Sequence, residues 1–256
     1  MLDRQTLEIV CVYNNLQLFE QMVSSTESYS DSEIKIVGID NRNNQFSSAA
    51  SAYNYALQNL CEAEVIVFCH QDIIWKSGAL SDIYCACIND NNTLFGAAGV
   101  LASISKKNGC VSAITHPGHK FTSLSESEMI KVFSLDELMI AGNKELFQKV
   151  RFDPDTCFAW DLYAVDLCLQ CHLQEINVVV IGLDIQHLSC GILTENYYKA
   201  QRAIAYKYHR NYSIIFTTCG WFFTNRILYS VFERLKKGKL FKKILHPVYQ
   251  FFKYHK

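Results

Sequence analysis

The chain has 256 residues, half of them apolar and 19% charged, with a net charge of −1. That length and apolar content permit one large buried core and exclude general disorder. The near-neutral balance argues against an electrostatic surface built for nucleic acid, so no nucleic-acid partner is expected.

In chain order, LEIVCVY predicts a first strand, and residues 15–29 a helix with Leu16, Phe19, Met22 and Val23 on one face. IKIVGID predicts the second strand. SSAASAYNYALQNL predicts a helix with Ser47 as its N-cap. AEVIVFC reads as a third strand, residues 76–89 as a helix and LFGAAGVLA as a fourth strand. Apolar strands separated by helices imply crossover connections and a mostly parallel sheet covered by helices on both faces, an α/β fold.

Residues 103–127, rich in Ser, Gly, Lys and His, read as a long loop. A strand at IKVFSL, a helix over 161–172 and a strand at NVVVIG follow. Between 226 and 256 there are nine Lys or Arg against one acid, Glu233. Residues 211–256 therefore read as a basic, aromatic helical tail, suited to an anionic membrane surface or to packing on a partner. No run of about 20 apolar residues spans a bilayer, and MLDRQTLEIV lacks a secretion pattern. Eleven cysteines, an odd number, are then expected as reduced thiols in a cytoplasmic protein. CLQCH, 168–172, has the spacing of a haem attachment motif, but it falls inside an apolar-periodic helix.

Ligands of such sheets bind beyond the carboxyl ends of the strands. Three polar clusters stand there: Tyr13-Asn14-Asn15, the run from Asp40 to Asn44, and His70-Gln71-Asp72. All three are expected on one rim, although Asn and Asp are also ordinary turn residues.

Five motifs in order, VCVYNN, VGIDN, VIVFCHQD, ELMIAGNKELFQKVRFD with VDLCLQ, and QHLS, carry a resemblance. The chain resembles family 2 glycosyltransferases of the glycosyltransferase A fold, in the bacterial branch with His-Gln-Asp in place of Asp-X-Asp. The resemblance covers about residues 7–190. It implies a catalytic domain over 1–210, with a nucleotide-binding part at about 1–102 and an acceptor part at about 128–210. It also implies a nucleotide-sugar donor, UDP-linked, a glycan or lipid-linked acceptor, and a divalent cation, Mn²⁺ or Mg²⁺. The expected setting is surface polysaccharide synthesis, in the cytoplasm or on the inner face of the membrane.

By the same resemblance, Asp72 and His187 fall to the metal, and His70 either to the metal or to a phosphate or ribose oxygen. Val12, Tyr13, Asn14, Asp40, Asn54 and Gln71 fall to the nucleotide sugar. Asp136, Glu137, Trp160 and Tyr163 fall to the acceptor. The sequence departs from the family at the base: the expected carboxylate is Ala164. Asp161 lies three residues earlier, on the same face if the helix has begun, and is the expected base, with Asp166 as the structural member of the motif. A catalytically inactive nucleotide-sugar or glycan-binding homologue is the alternative. A nucleotidyltransferase is disfavoured because CVYNNLQLFE has no Gly, Lys or Arg for a phosphate loop.

Overall fold

The computed structural model describes residues 7–28, 34–76, 78–103, 109–116, 119–120, 123–189, 191 and 193–236. Strand β1 (Leu7–Tyr13), helix α1 (Leu16–Ser28), β2 (Ile34–Asp40), α2 (Ala49–Asn59) and β3 (Val65–Cys69) form the first half of a seven-stranded sheet. After β4 (Ile73–Trp75) and α3 (Ala79–Asn89), β5 (Thr93–Gly96) rejoins that sheet. Later come β10 (Met129–Lys131), β12 (Met139–Asn143) and β13 (Asn177–Ile181), giving the order β10-β13-β5-β12-β3-β1-β2. Strands β2, β1, β3, β5 and β13 run one way, and β12 and β10 run against them.

Alternation along the buried strands sorts side chains between two cores. Val10, Ile66 and Phe68 face α2 through Ala49, Ala52, Tyr53 and Ala56, and share that core with α5 (Tyr163–Leu173). Ile9, Cys11, Val65 and Val67 face the other way, with Met22 of α1 and Leu80, Ile83 and Cys87 of α3. Helices thus cover both faces, as the mostly apolar strands require. Gly38 is needed in β2 because a Cβ there would stand 2.6 Å from the Phe19 ring. Phe19 in turn stacks on Tyr13 at 4.2 Å, under the rim of the sheet.

Several boundaries differ from expectation. LFGAAGVLA divides at Ala97 into β5 and β6 (Ala98–Val100), and IKVFSL into β10 and β11 (Ser134–Leu135). In each case the chain leaves the large sheet for a small one of order β11-β6-β7, with β7 at Cys110–Ser112. Ser48, not Ser47, caps α2, its Oγ accepting from Ser51 N at 3.1 Å. Helix α3 starts at Ala79, after Gly78 in a left-handed conformation. The long loop contains β7, β8 (Thr115–His116) and β9 (His119–Lys120), and α4 (Leu146–Lys149) follows β12. β8 and β9 join β4 and β14 (Ile185–His187) in a sheet of order β4-β14-β8-β9.

The tail is not all helix. After α6 (Glu195–Lys207), β15 (Ile214–Thr217) and β16 (Gly220–Phe223) make an antiparallel hairpin, and only then does α7 (Arg226–Lys236) begin. Ser134 Oγ donates to Phe216 O at 2.7 Å and Thr218 Oγ1 to Asp136 Oδ2 at 2.6 Å, so the hairpin is fastened to β11 and the turn after it. The expectation for 237–256 lies outside the described residues. No helix among the described residues is long and apolar enough to cross a membrane.

Candidate active site

Strand register assembles the site. Tyr13 lies opposite Asp40 across β1 and β2, and Cys11 opposite Cys69 across β1 and β3, so the three polar clusters end on one rim. There a cleft of about 280 Å³ is lined by Val12, Tyr13, Asn14, Asn41, Asn44, Tyr53, His70, Gln71, Asp72, Trp160 and Tyr163.

The first layer is a clamp. Gln71 Oε1 accepts from Asn14 N at 3.0 Å and Asn15 N at 2.9 Å, while its Nε2 donates to Asn14 Oδ1 at 2.8 Å. The amide of β3's terminus thereby fixes the terminus of β1. Asp40 is engaged differently. Arg42 grips it through Nε at 2.9 Å and Nη2 at 2.6 Å, in a fork that holds the carboxyl down at about 2. The guanidinium stands 6.0 Å above the Tyr13 ring, so Arg42 joins β1 to the turn after β2. Asp40 is outside the cleft lining; Asn41 and Asn44 of the same turn are in it.

The second layer gathers side chains that could hold a metal ion. Antiparallel pairing of β4 with β14 sets His187 opposite Ile73, and Leu188 N donates to Asp72 O at 2.9 Å. His187 Nε2 then lies 3.3 Å from Asp72 Oδ2, and His70 Nδ1 lies 3.8 Å from Asp72 Oδ1. One donor atom each from His70, Asp72 and His187 falls within 4.8 Å of the others. His187 Nε2 is buried and has no partner in hydrogen-bonding geometry, as an atom kept for a cation would be. This donor set fits a divalent ion. Burial pushes the Asp72 carboxyl up, but His187 and Ser189 more than offset it and hold the carboxyl below the usual range.

Two neighbours escaped the sequence reading. Ser189 Oγ donates to Asp72 Oδ2 at 2.5 Å. His116 meets the His187 ring edge-on, centroids 5.0 Å apart, because β8 pairs with β14. QHLS contained Ser189 without indicating its target, and nothing in the loop around His116 pointed to a strand.

The remaining candidates divide. Trp160 is 43% exposed and lines the cleft. Tyr163 is buried; its hydroxyl donates to Glu137 O at 3.0 Å and lies 3.3 Å from His70 Nε2. Asp136 has one oxygen on Thr218 and the other on Leu138 N, 3.1 Å away. Asn54 sits below the site, its amide donating to Phe152 O at 2.8 Å. Asp161 is half-buried beside Trp160, its carboxyl pushed up by burial. Asp166 is buried away from the cleft, bonded to Lys207 Nζ at 2.7 Å, Tyr208 OH at 2.9 Å and Gln170 Nε2 at 2.8 Å. Helix α5 begins only at Tyr163, since Leu162 adopts φ of 63°, so Asp161 belongs to the turn before the helix.

The family described as "Glycosyltransferase like family" matches residues 8–212. The chain belongs to that family. Among solved structures it resembles one described as GalNAc-T7 with UDP, GalNAc and Mn²⁺, at a TM-score of 0.57 and 8% identity, over 78% of this chain and 48% of that one. It also resembles S. aureus TarS, at a TM-score of 0.51 and 14% identity, over 80% of this chain and 40% of that one. The chain therefore spans about half the length of the first and less of the second. At these identities the likeness is one of fold, and the fold is the glycosyltransferase A type. No curated protein matches the sequence.

Proposed function

We propose that the protein is an inverting glycosyltransferase that moves a sugar from a UDP-linked donor to a glycan or lipid-linked acceptor. The observation that carries this reading is the meeting of Asp72, His187 and His70 at the mouth of a cleft lined by the ends of β1, β2 and β3. Asn14, Asn41, Asn44 and Tyr13 offer polar and aromatic faces for the nucleoside, and Trp160 a flat surface for a sugar ring. A divalent cation on Asp72, His187 and His70 would supply Lewis-acid stabilisation of the departing diphosphate. Asp161 takes the proton of the acceptor hydroxyl as its oxygen attacks the anomeric carbon from the face opposite the diphosphate.

Surface-polysaccharide synthesis at the inner face of the membrane is the setting we infer, and α7 supports it. Tyr229 and Phe232 are buried, Phe232 against Trp221 and Phe223 of the hairpin, while Ile227, Leu228 and Val231 are exposed at 73%, 50% and 49%. That apolar face opens a stretch with nine basic residues and one acid, a pattern suited to an anionic bilayer.

Ala164, buried at the family's base position, favours an inactive binding homologue as the second reading. Incubation with Mn²⁺ and UDP-glucose, UDP-galactose or their N-acetyl counterparts separates the two. Sugar transfer or slow donor hydrolysis, lost in Asp161→Asn, supports the enzyme. UDP binding without turnover of any donor supports the homologue.

A further inference from the structure

His70 has two ring nitrogens, and they face different partners. Nδ1 lies 3.8 Å from Asp72 Oδ1, beyond hydrogen-bond reach. Nε2 lies 3.3 Å from the hydroxyl of Tyr163. All three residues line the cleft.

Tyr163 is built to hold that contact still. It is 2% exposed, which leaves little of it for an acceptor to touch, and opens α5 beside the buried Ala164. Its ring packs edge-on against Tyr53 and Phe152, with centroids 5.5 and 6.1 Å away. The His70 backbone is held as firmly, its N–H donating to Leu138 O at 3.0 Å where β3 and β12 stop pairing. The adjoining carbonyl, Glu137 O, lies 3.0 Å from the Tyr163 hydroxyl.

That carbonyl decides the direction of the remaining bond. A hydroxyl has one proton, and a carbonyl oxygen can only accept it. With the proton given to Glu137 O, the Tyr163 oxygen has only lone pairs to offer His70. A neutral imidazole also has a single N–H. On Nδ1 that proton would find Asp72 out of reach and leave two acceptors, Nε2 and the hydroxyl oxygen, facing each other at 3.3 Å. On Nε2 it has a partner.

We infer that Tyr163 is a positioning residue for the cation site: its hydroxyl oxygen accepts from His70 Nε2 and fixes the tautomer that turns a bare Nδ1 toward Asp72. A histidine that holds a metal needs one nitrogen bare and the N–H of the other anchored. Glu137 O, Tyr163 OH and His70 form such an anchor before any cation arrives. Without the hydroxyl, the ring is free to turn about its Cβ–Cγ bond and present either edge. The consequence for cation affinity rests on the reading of Asp72, His187 and His70 as the cation's holders; the tautomer does not.

The first measurement needs no metal. Two-bond proton–nitrogen correlation spectra of the metal-free full chain, labelled with nitrogen-15 at histidine, show which ring nitrogen carries the proton. The signals that vanish in His70→Gln identify His70. At about pH 8, above the ordinary histidine range, Nε2 should be protonated and Nδ1 bare, with the Nε2 proton protected from exchange with water. Tyr163→Phe should lose that protected proton. A proton on Nδ1 in the wild type, or equal protection in the Phe variant, overturns the proposal. The second measurement is Mn²⁺ titration by calorimetry, in which Tyr163→Phe should bind about 10- to 100-fold more weakly than wild type. Equal affinity also overturns the proposal. If the wild type binds no Mn²⁺ while its spectra show the protected Nε2 proton, the cation reading fails and the hold of Tyr163 on His70 stands.

Discussion

Ser189 Oγ donates to Asp72 Oδ2 at 2.5 Å, joining residues 117 apart in the chain. The bond exists because β4 begins directly after Asp72 and pairs with β14, which ends two residues before Ser189. It fixes the oxygen that also faces His187, so the carboxylate is oriented before any cation arrives. Ser189→Ala should therefore weaken Mn²⁺ affinity about 10- to 100-fold without unfolding the protein. Mn²⁺ titration by calorimetry checks this, and unchanged affinity would remove Ser189 from the site.

Asp161 and Asp166 should fail in different ways. Asp161→Asn should cut kcat by about 10²- to 10⁴-fold with little change in melting temperature. Asp166→Asn takes the charge from a buried carboxylate that accepts from Lys207, Tyr208 and Gln170, and should cost about 1–3 kcal/mol of stability. Chemical denaturation beside steady-state kinetics separates the two effects. The reverse pattern would exchange their roles.

The rim was legible in the sequence for a simple reason. Parallel strands covered on both faces read as mostly apolar runs, so Tyr13, Asp40 and His70 announce themselves where the runs stop. The partnership of Asp72 with His187 came from family resemblance, because only the β4–β14 pairing joins them. Asp40 looked available in the sequence, yet Arg42, two residues on, takes its carboxylate. The bends at Ala97 and Leu162 were hidden because each depends on a distant partner sheet or turn, and local pattern is silent about those. The hairpin was missed because aromatic and aliphatic residues crowd both 214–223 and the helix after it, blurring period 2 into period 3.6.

Gln71 ties β1 to β3 through three hydrogen bonds at the cleft wall. Gln71→Ala frees two backbone N–H groups to water and should cost about 1–2 kcal/mol, with UDP affinity falling as the Asn14 loop loosens. Melting curves and UDP titration together check this. Lost stability with unchanged UDP affinity would confine Gln71 to a structural role.

The exposed face of α7 makes a separate prediction. The full chain should bind vesicles containing phosphatidylglycerol at low salt and dissociate as salt rises. Replacing Ile227, Leu228 and Val231 with Ser should weaken that binding while leaving UDP affinity intact. A full chain that stays free of anionic vesicles at low salt contradicts membrane docking.

The central claim is that Asp72 and the two histidines hold a cation that receives the donor's diphosphate. UDP binding measured by calorimetry, with and without Mn²⁺, on wild type and Asp72→Ala tests it most directly. The account predicts tight binding only with Mn²⁺ and its loss in the variant. Binding that ignores both the metal and the substitution would contradict it.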